Sequence, residues 1–309
     1  MKMKVFKTIQ EQISILESKG LIIDDYLFTE DILIRENYFF ISGYRHLFLK
    51  SPKDRNFIKG TTFRELYALF NFDRQVRNIV FKNLLIIENN LKSIISYQLS
   101  KKYGFREKDY LRPENFTKVP DKQRQLNDTL KKMKRQIRVN GAQHSATSHY
   151  LKNYGYIPLW VVVKVLSFGI VGELYTVMKR EDQEEIANIY DLSINNLLTY
   201  LPILSNYRNL CAHEDILYDH RTDKSIDNNI YHEKLGILQM DDEYIYGKND
   251  IFAVVIILKY LLTDAEFRLM MREIDYEIGK LSGVIKSIPL AKILDRIGFP
   301  ENYMELINM

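Results

Sequence analysis

The chain is poor in cysteine, proline and glycine. Its 309 residues include a single cysteine, Cys211, together with 7 prolines and 13 glycines. One cysteine excludes an internal disulfide framework and a cysteine-rich zinc module, and it is typical of a reducing compartment. We therefore expect a cytoplasmic protein. The scarcity of glycine and proline indicates long helices and few turns.

The sequence also lacks an uninterrupted apolar run. Its first twelve residues contain no apolar stretch of the signal-peptide kind, so we expect no secretory leader. The longest apolar segment, 159–178, is interrupted by Lys164 and Glu173. Because charges are costly inside a bilayer, this segment predicts one buried helix and no membrane span.

Metal-ligand spacing is missing as well. His46, His144, His149 and His232 are scattered along the chain. Zinc sites place their ligands at short, regular spacings, so we predict neither a bound metal nor any other cofactor.

Charge is present in both signs and is segregated. The net charge is only +4, but residues 101–138 hold 13 Lys or Arg against 5 Asp or Glu, and residues 214–248 hold 4 against 9. A helix in the basic segment would present a face suited to phosphates, so we predict RNA binding there. The alternative is a solvated connector. The densest part of this segment consists of Lys131, Lys132, Lys134, Arg135 and Arg138.

Tyrosine is abundant, with 21 residues, and Tyr97, Tyr103 and Tyr110 adjoin or lie within the basic segment. Tyrosines beside cations can stack on unpaired RNA bases. The interpretation we favour is that these three rings lie at the edge of the core.

Apolar spacing of 3.6 residues dominates the chain, and the alternation typical of strands is almost absent. The predicted fold class is therefore all-α, with one possible β-hairpin within 236–247 and a loop over 140–148. A short helix is expected to start near Phe63, capped by Thr61 or Thr62. The other helices are predicted over 4–19, 29–39, 73–102, 121–138, 159–178, 181–190, 193–213, 251–262, 264–281 and 289–297.

One segment carries a motif that suggests chemistry. Arg208 continues an apolar line formed by Leu197, Leu201 and Leu204, where an unpaired charge is expensive. Four residues separate Asn209 from His213, so the two share a helix face and Asn209 could orient the imidazole.

Arg208 and His213 are separated by about 140° around the helix. A site that uses both fully is easier to build where two copies of the chain meet.

This pair suits RNA cleavage. A histidine that titrates near neutrality can take a proton from the ribose 2′-OH or give one to the leaving 5′-oxygen. An arginine stabilises the charge that grows on the phosphate. The alternative is structural: Arg208 pairs with an acid, and His213 is a satisfied core histidine.

Besides the motif Arg-Asn-x-x-Ala-His, the chain carries several further blocks: the aromatic-Gly-Tyr segment 38–44, the segments 62–67 and 72–77, Glu88 with Lys92, Tyr103-Gly104, and the segments 157–160 and 166–169. In residues and in order, over roughly 26–221, these blocks resemble the abortive-infection family (Abi-like, AbiD/AbiF type), a branch of the HEPN superfamily.

The resemblance implies a HEPN helical bundle and a role in defence against phage. It implies a metal-independent ribonuclease that works as a homodimer, with Arg208, Asn209 and His213 at the motif positions. Because some relatives act with a non-coding RNA, the resemblance also implies a bound structured RNA for this chain. Glu88 and Lys92 would orient Arg208 or form a plain helix pair. Relatives often carry arginine at position 92, and lysine lacks the planar fork.

We predict three regions: an N-terminal segment (1–60), a HEPN-like core (61–221) with a basic insertion at about 105–150, and a C-terminal helical extension (222–309). The alternative function is a module that holds a cognate RNA without cutting it. A toxin that acts on protein or nucleotide has less support, because neither a Walker loop nor a GxGxxG motif is present.

Overall fold

The structure, a computed structural model, describes residues 5–51 and 53–309. The first residue of the predicted helix 4–19 and the first four of the twelve residues inspected for a leader lie outside that range. The described α-helices are α1 (Ile9–Ser18), α2 (Tyr26–Glu36), α3 (Tyr38–Ser42), α4 (Phe63–Tyr103), α5 (Glu107–Tyr110), α6 (Gln123–Asn140), α7 (Ser145–Tyr154), α8 (Leu159–Val162), α9 (Phe168–Val177), α10 (Arg180–Ala187), α11 (Ile194–Ala212), α12 (Ile230–Lys234), α13 (Ile251–Leu261), α14 (Asp264–Val284) and α15 (Leu290–Ile297).

The predicted all-α class is confirmed. Within the described ranges, the only strands are β1 (Gln239–Met240) and β2 (Glu243–Tyr244), which pair antiparallel inside the predicted hairpin segment. None of the helices in these ranges has the length and apolarity needed to cross a membrane.

The central element is α4, a single helix of 41 residues and about 60 Å. The prediction of two helices here, one near Phe63 and one from Asp73, was wrong at the join, because no helix-ending residue separates them. Thr62 and Glu65 form the capping box at its start, and Gly104 is its C-terminal cap residue. The residues Val80, Leu84, Ile87 and Leu91 are fully buried.

The predicted single helix over 159–178 was also wrong. After α8 the chain passes through a short 3-10 turn to an extended residue, Leu166, and Ser167 then caps α9 by accepting a hydrogen bond from the Ile170 N–H. Apolar periodicity cannot reveal this break, because both helices are buried.

Local capping explains the smaller shifts at other helix ends. A capping box of Thr8 with Glu11 starts α1. Asp25 caps α2, which therefore begins at Tyr26 and not at the predicted residue 29. The Thr29 hydroxyl donates to the Asp25 carbonyl inside the first turn. The expected loop over 140–148 is shorter, because α7 begins at Ser145.

Two helices pack on α4 near the motif, and a third covers one of them. Helix α11 lies against both α4 and α9, and α6 covers α9. Gly169 and Gly172 on α9 face α11, where a Cβ would sit 3.4 Å from Ser205 Oγ and 3.5 Å from Leu201 Cβ. The absence of side chains at these two positions lets α9 and α11 approach closely.

The C-terminal part packs on the same scaffold. Helix α14 runs along α4, and the buried Glu65 carboxylate accepts the backbone N–H groups of Lys286 and Ser287, each at 2.6 Å. The division into regions 1–60, 61–221 and 222–309 stays a prediction.

Candidate functional site

The motif residues lie at the C-terminal end of α11. Ser193 caps the start of this helix, and His213 is its C-terminal cap residue. Arg208 is half-buried toward α4, whereas Asn209 and His213 are exposed. The motif thus has one residue that faces the core and two that face solvent.

Arg208 is held by a buried carboxylate. Its Nε lies 3.0 Å from Oε2 of Glu88, and Lys92 Nζ lies 2.7 Å from Oε1 of the same group. The Glu88 side chain is only 5% exposed, against 28% for Arg208. The guanidinium also lies 5.8 Å from the centroid of the Phe81 ring. The structure therefore brings Glu88, Lys92 and Arg208 together.

This contact leaves most of the arginine fork available. Among residues 5–51 and 53–309, neither Nη atom of Arg208 has a hydrogen-bond partner. A guanidinium that is fixed through Nε can still donate from both Nη atoms to a phosphate.

The structural alternative for the motif holds for Arg208 but not for His213. Arg208 does pair with an acid, Glu88, but His213 is exposed and is no core histidine. In the part of the chain that is described, Asn209 is bonded to His213 only through the backbone, where the His213 N–H donates to the Asn209 carbonyl at 3.0 Å. Orientation of the imidazole by the Asn209 amide stays a prediction.

The chain leaves the motif through a turn that is anchored to α4. Glu214 adopts a φ of 58°, in the left-handed region. The backbone N–H groups of Leu217 and Tyr218 then donate to the Asp73 carboxylate, at 3.2 Å and 2.6 Å. Arg77 Nη1 donates to the Asp215 carbonyl at 3.0 Å. The segment that follows His213 is thereby fixed in place.

The anchoring network is buried, and none of its residues is among the predicted site residues. Tyr44 Oη donates to Asp73 at 2.7 Å, and Arg77 pairs with Asp73 at 2.8 Å. Asp73 and Arg77 are four residues apart on an apolar helix face, which is the pattern that could have revealed a buried ion pair.

A second histidine lies near the motif face. His220 Nε2 is 2.7 Å from Oδ1 of Asn206, which lies on the same exposed side of α11 as Asn209 and His213. Burial, together with the neighbouring Arg221, lowers the pKa of His220. Arg221 itself donates to the carbonyls of His220 and Arg296, so its fork is occupied by backbone.

The predicted RNA-binding cations lie on α6, and four of the five form one exposed stripe. Lys131, Lys134, Arg135 and Arg138 occupy positions i, i+3, i+4 and i+7. Lys132 projects to the side and pairs with Glu173 of α9 at 2.5 Å. Its charge is therefore partly neutralised, and the stripe is the better candidate surface.

The three tyrosines near the basic segment differ in environment. Tyr110 is buried and donates to the Ile157 carbonyl, and Tyr103 is half-buried and donates to Asp182. Tyr97 is exposed. The interpretation as core-edge residues fits the first two.

Within the described residues, no group of three or more His, Cys, Asp or Glu side chains is arranged to hold a metal ion.

The fold and site define a helical protein with an Arg-Asn-His motif at the end of a helix. The arginine of this motif is held by a buried carboxylate. A family model for Abi-like proteins matches residues 31–219, which is more than half of the chain, so the protein belongs to the Abi-like family. The matched range includes Glu88, Arg208 and His213. Comparisons with curated proteins and with solved structures found no match.

Proposed function

We propose that the protein is an abortive-infection effector that cleaves RNA without a metal through Arg208 and His213. Membership of the Abi-like family supports a role in abortive infection, a defence against phage. The observation that carries the ribonuclease activity is an arginine fixed by buried Glu88, on the helix that ends at exposed His213. We also propose that the helical core of the chain is of the HEPN type.

The nucleophile is the substrate's own ribose 2′-oxygen. It attacks the adjacent phosphorus, and the bond from phosphorus to the 5′-oxygen breaks. The 2′-OH proton must leave, and the 5′-oxygen must gain a proton. His213 performs one of these transfers, because an exposed imidazole can accept or donate a proton. The products are a 2′,3′-cyclic phosphate and a 5′-hydroxyl.

Arg208 stabilises the charge that develops on the phosphate oxygens. Its Nε is occupied by Glu88, and its Nη atoms donate to the phosphate. Lys92 shares the Glu88 carboxylate and helps to keep the local charge balanced.

Two copies of the chain form the complete site. Arg208 and His213 are about 140° apart on one helix, and the reaction needs two proton transfers. A homodimer that joins the exposed face of α11 to its copy supplies a second histidine. His213 of one copy then acts as base and the same residue of the other acts as acid.

The test is cleavage by purified protein in EDTA, with detection of the cyclic phosphate. Arg208→Ala or His213→Ala should abolish both cleavage and protection of cells from phage. His46→Ala, at another exposed histidine, is the matched control and should cleave normally. Protection that survives both motif substitutions overturns the proposal.

The second candidate is a module that binds a structured non-coding RNA and does not cut it. The exposed stripe of Lys131, Lys134, Arg135 and Arg138 on α6 favours it. RNA of defined sequence should then copurify with the chain and remain intact. Reversing the stripe charges should release it, whereas Lys132→Gln, at the paired lysine, should not.

A further inference from the structure

Six aromatic rings form a row on the surface, away from the motif. In spatial order, neighbouring ring centroids lie 5.3–6.4 Å apart. Trp160 is 46% exposed, Phe105 38% and Tyr154 58%. Contiguous exposed aromatics of this kind mark binding surfaces in soluble proteins. The aromatic row consists of Trp160, Phe105, Tyr156, Tyr154, Tyr150 and His149.

The row is held in place before any ligand arrives. Gly155, with a φ of 74°, ends α7 and turns the chain between Tyr154 and Tyr156. Ile157, the next residue after Tyr156, has both of its backbone groups fixed. Its N–H donates to the Glu107 carboxylate at 2.6 Å, and its carbonyl accepts from Tyr110 Oη at 3.0 Å. Preorganised rings lose little entropy on binding.

The chain segment that supplies most of the row is cationic. Residues 129–172 contain seven Lys or Arg and no Asp or Glu. Five of the six rings come from this interval. Arg106 places its guanidinium 5.0 Å from the Tyr156 centroid and 5.9 Å from Phe105. Of the two carboxylates closest to Arg106 in sequence, Glu107 accepts from the Ile157 N–H and Asp109 pairs with Arg112.

We propose that the aromatic row binds unpaired bases of single-stranded RNA. The rings stack on the bases, and Arg106 with the cations of 129–172 contacts the phosphates. This inference rests on the proposed function in taking RNA as the ligand. A long interval without carboxylates favours a polyanion, because a protein partner would not require it.

The row is distinct from the cleavage site. Glu88, which holds Arg208, lies 15 residues before Tyr103 at the end of α4, a separation of about 22 Å along the helix axis. The row follows directly beyond that end, at Phe105. An RNA held on the row therefore lies a fixed distance from Arg208.

Trp160 makes stacking observable, because it is the only tryptophan in the chain. A full-length His213→Ala chain keeps the RNA intact and is titrated with a labelled 12-nucleotide oligo(A). Trp160 emission should be quenched in step with the anisotropy of the label. The same length of RNA duplex should leave the emission unchanged. Saturated binding of the oligo(A) without quenching overturns the proposal.

Substitutions at exposed ring positions separate stacking from charge. Tyr154→Ala should weaken oligo(A) binding about 5- to 100-fold, and Tyr154→Phe should restore it. The loss of affinity in Tyr154→Ala should be equal at about 50 and 200 mM salt, whereas Lys134→Gln should make the oligo(A) affinity depend less steeply on salt. Tyr276→Ala, at an equally exposed tyrosine on α14, is the control.

Oligo(A) binding that is unaffected by Tyr154→Ala and by Arg106→Gln refutes the inference and assigns the row to a protein partner. That result is independent of whether Arg208 and His213 cleave RNA. Conversely, loss of binding in these variants supports the row even when the motif variants still cleave.

Discussion

Glu88 and Arg208 are joined by a 3.0 Å contact between Oε2 and Nε, although 120 residues separate them in sequence. The carboxylate is buried, and its other oxygen is held by Lys92. Because both partners lie on packed helices, the contact fixes the direction in which the arginine fork points.

We therefore expect Glu88→Gln to lower RNA cleavage about 10- to 100-fold, the scale of a misplaced group. The loss should fall on kcat more than on KM, because the Arg208 fork is misdirected in the transition state. Steady-state cleavage of a defined RNA measures both. Asp31→Asn, in the exposed pair with Arg35, is the control.

Glu88→Gln also leaves the Lys92 ammonium without its counter-charge, which lowers stability. The effect on stability must therefore be separated from the effect on cleavage. The double variant Glu88→Gln/Lys92→Gln removes both charges and should recover the melting temperature, but not cleavage. Recovery of cleavage along with stability would show that Glu88 is only structural.

Asp73 should be essential for the segment that follows the motif. Asp73→Asn leaves the buried Arg77 without a counter-charge, and a broken buried pair costs about 3–5 kcal/mol. Tyr44→Phe removes one hydrogen bond and should cost about 1 kcal/mol. Denaturant unfolding measures both free energies.

The Asp73 network makes a second, local prediction. Amide exchange at Leu217 and Tyr218 should accelerate in Asp73→Asn more than exchange in helix α6, which packs on α9, because their N–H groups lose the carboxylate acceptor. Uniform acceleration throughout the chain would point to global destabilisation alone.

Local sequence patterns were enough to predict much of the fold. The spacing of Leu197, Leu201 and Leu204, with the Ser193 cap, marks α11, and Gly104 marks the end of α4. The same patterns miss the break between α8 and α9, which depends on the single cap residue Ser167. They also divide α4 near Asp73, where the helix is continuous.

The site could be predicted only in part. The motif names Arg208 and His213, and the resemblance adds Glu88, but no local pattern shows that Asp73 meets Tyr218 across 145 residues. Phe105 likewise meets Trp160 only because of how α5 and the segment before α8 pack. Such contacts are set by tertiary packing and not by periodicity.

Cys211 should be chemically inert in the folded protein. Burial raises the pKa of its thiol to about 12, so almost no thiolate exists at pH 8. Iodoacetamide should label the unfolded chain in urea and spare the native chain. Cys211→Ala should cleave RNA nearly as well as wild type, because this residue is a variable position of the motif. A Cys211→Ala chain that melts normally but does not cleave would contradict this view of the motif.

Asp250 should make stability depend on pH in a direction opposite to most carboxylates. It caps α13 through the Ala253 N–H at 2.9 Å and accepts from the Gly247 N–H. Burial raises the pKa of its carboxyl from 3.8 to about 6. The folded state therefore binds the proton more tightly than the unfolded state.

The contribution of Asp250 is complete below about pH 4 and is lost as the pH rises through about 6. Two pKa units correspond to about 3 kcal/mol. Asp250→Asn cannot ionise, so its free energy of unfolding, measured relative to wild type, should increase by about this amount between pH 4 and pH 7. Urea unfolding of both proteins at several pH values measures this difference between Asp250→Asn and wild type. The contributions of the other titrating groups cancel, because both proteins share them. A difference that is constant over this interval would mean that Asp250 is ionised in the folded protein throughout.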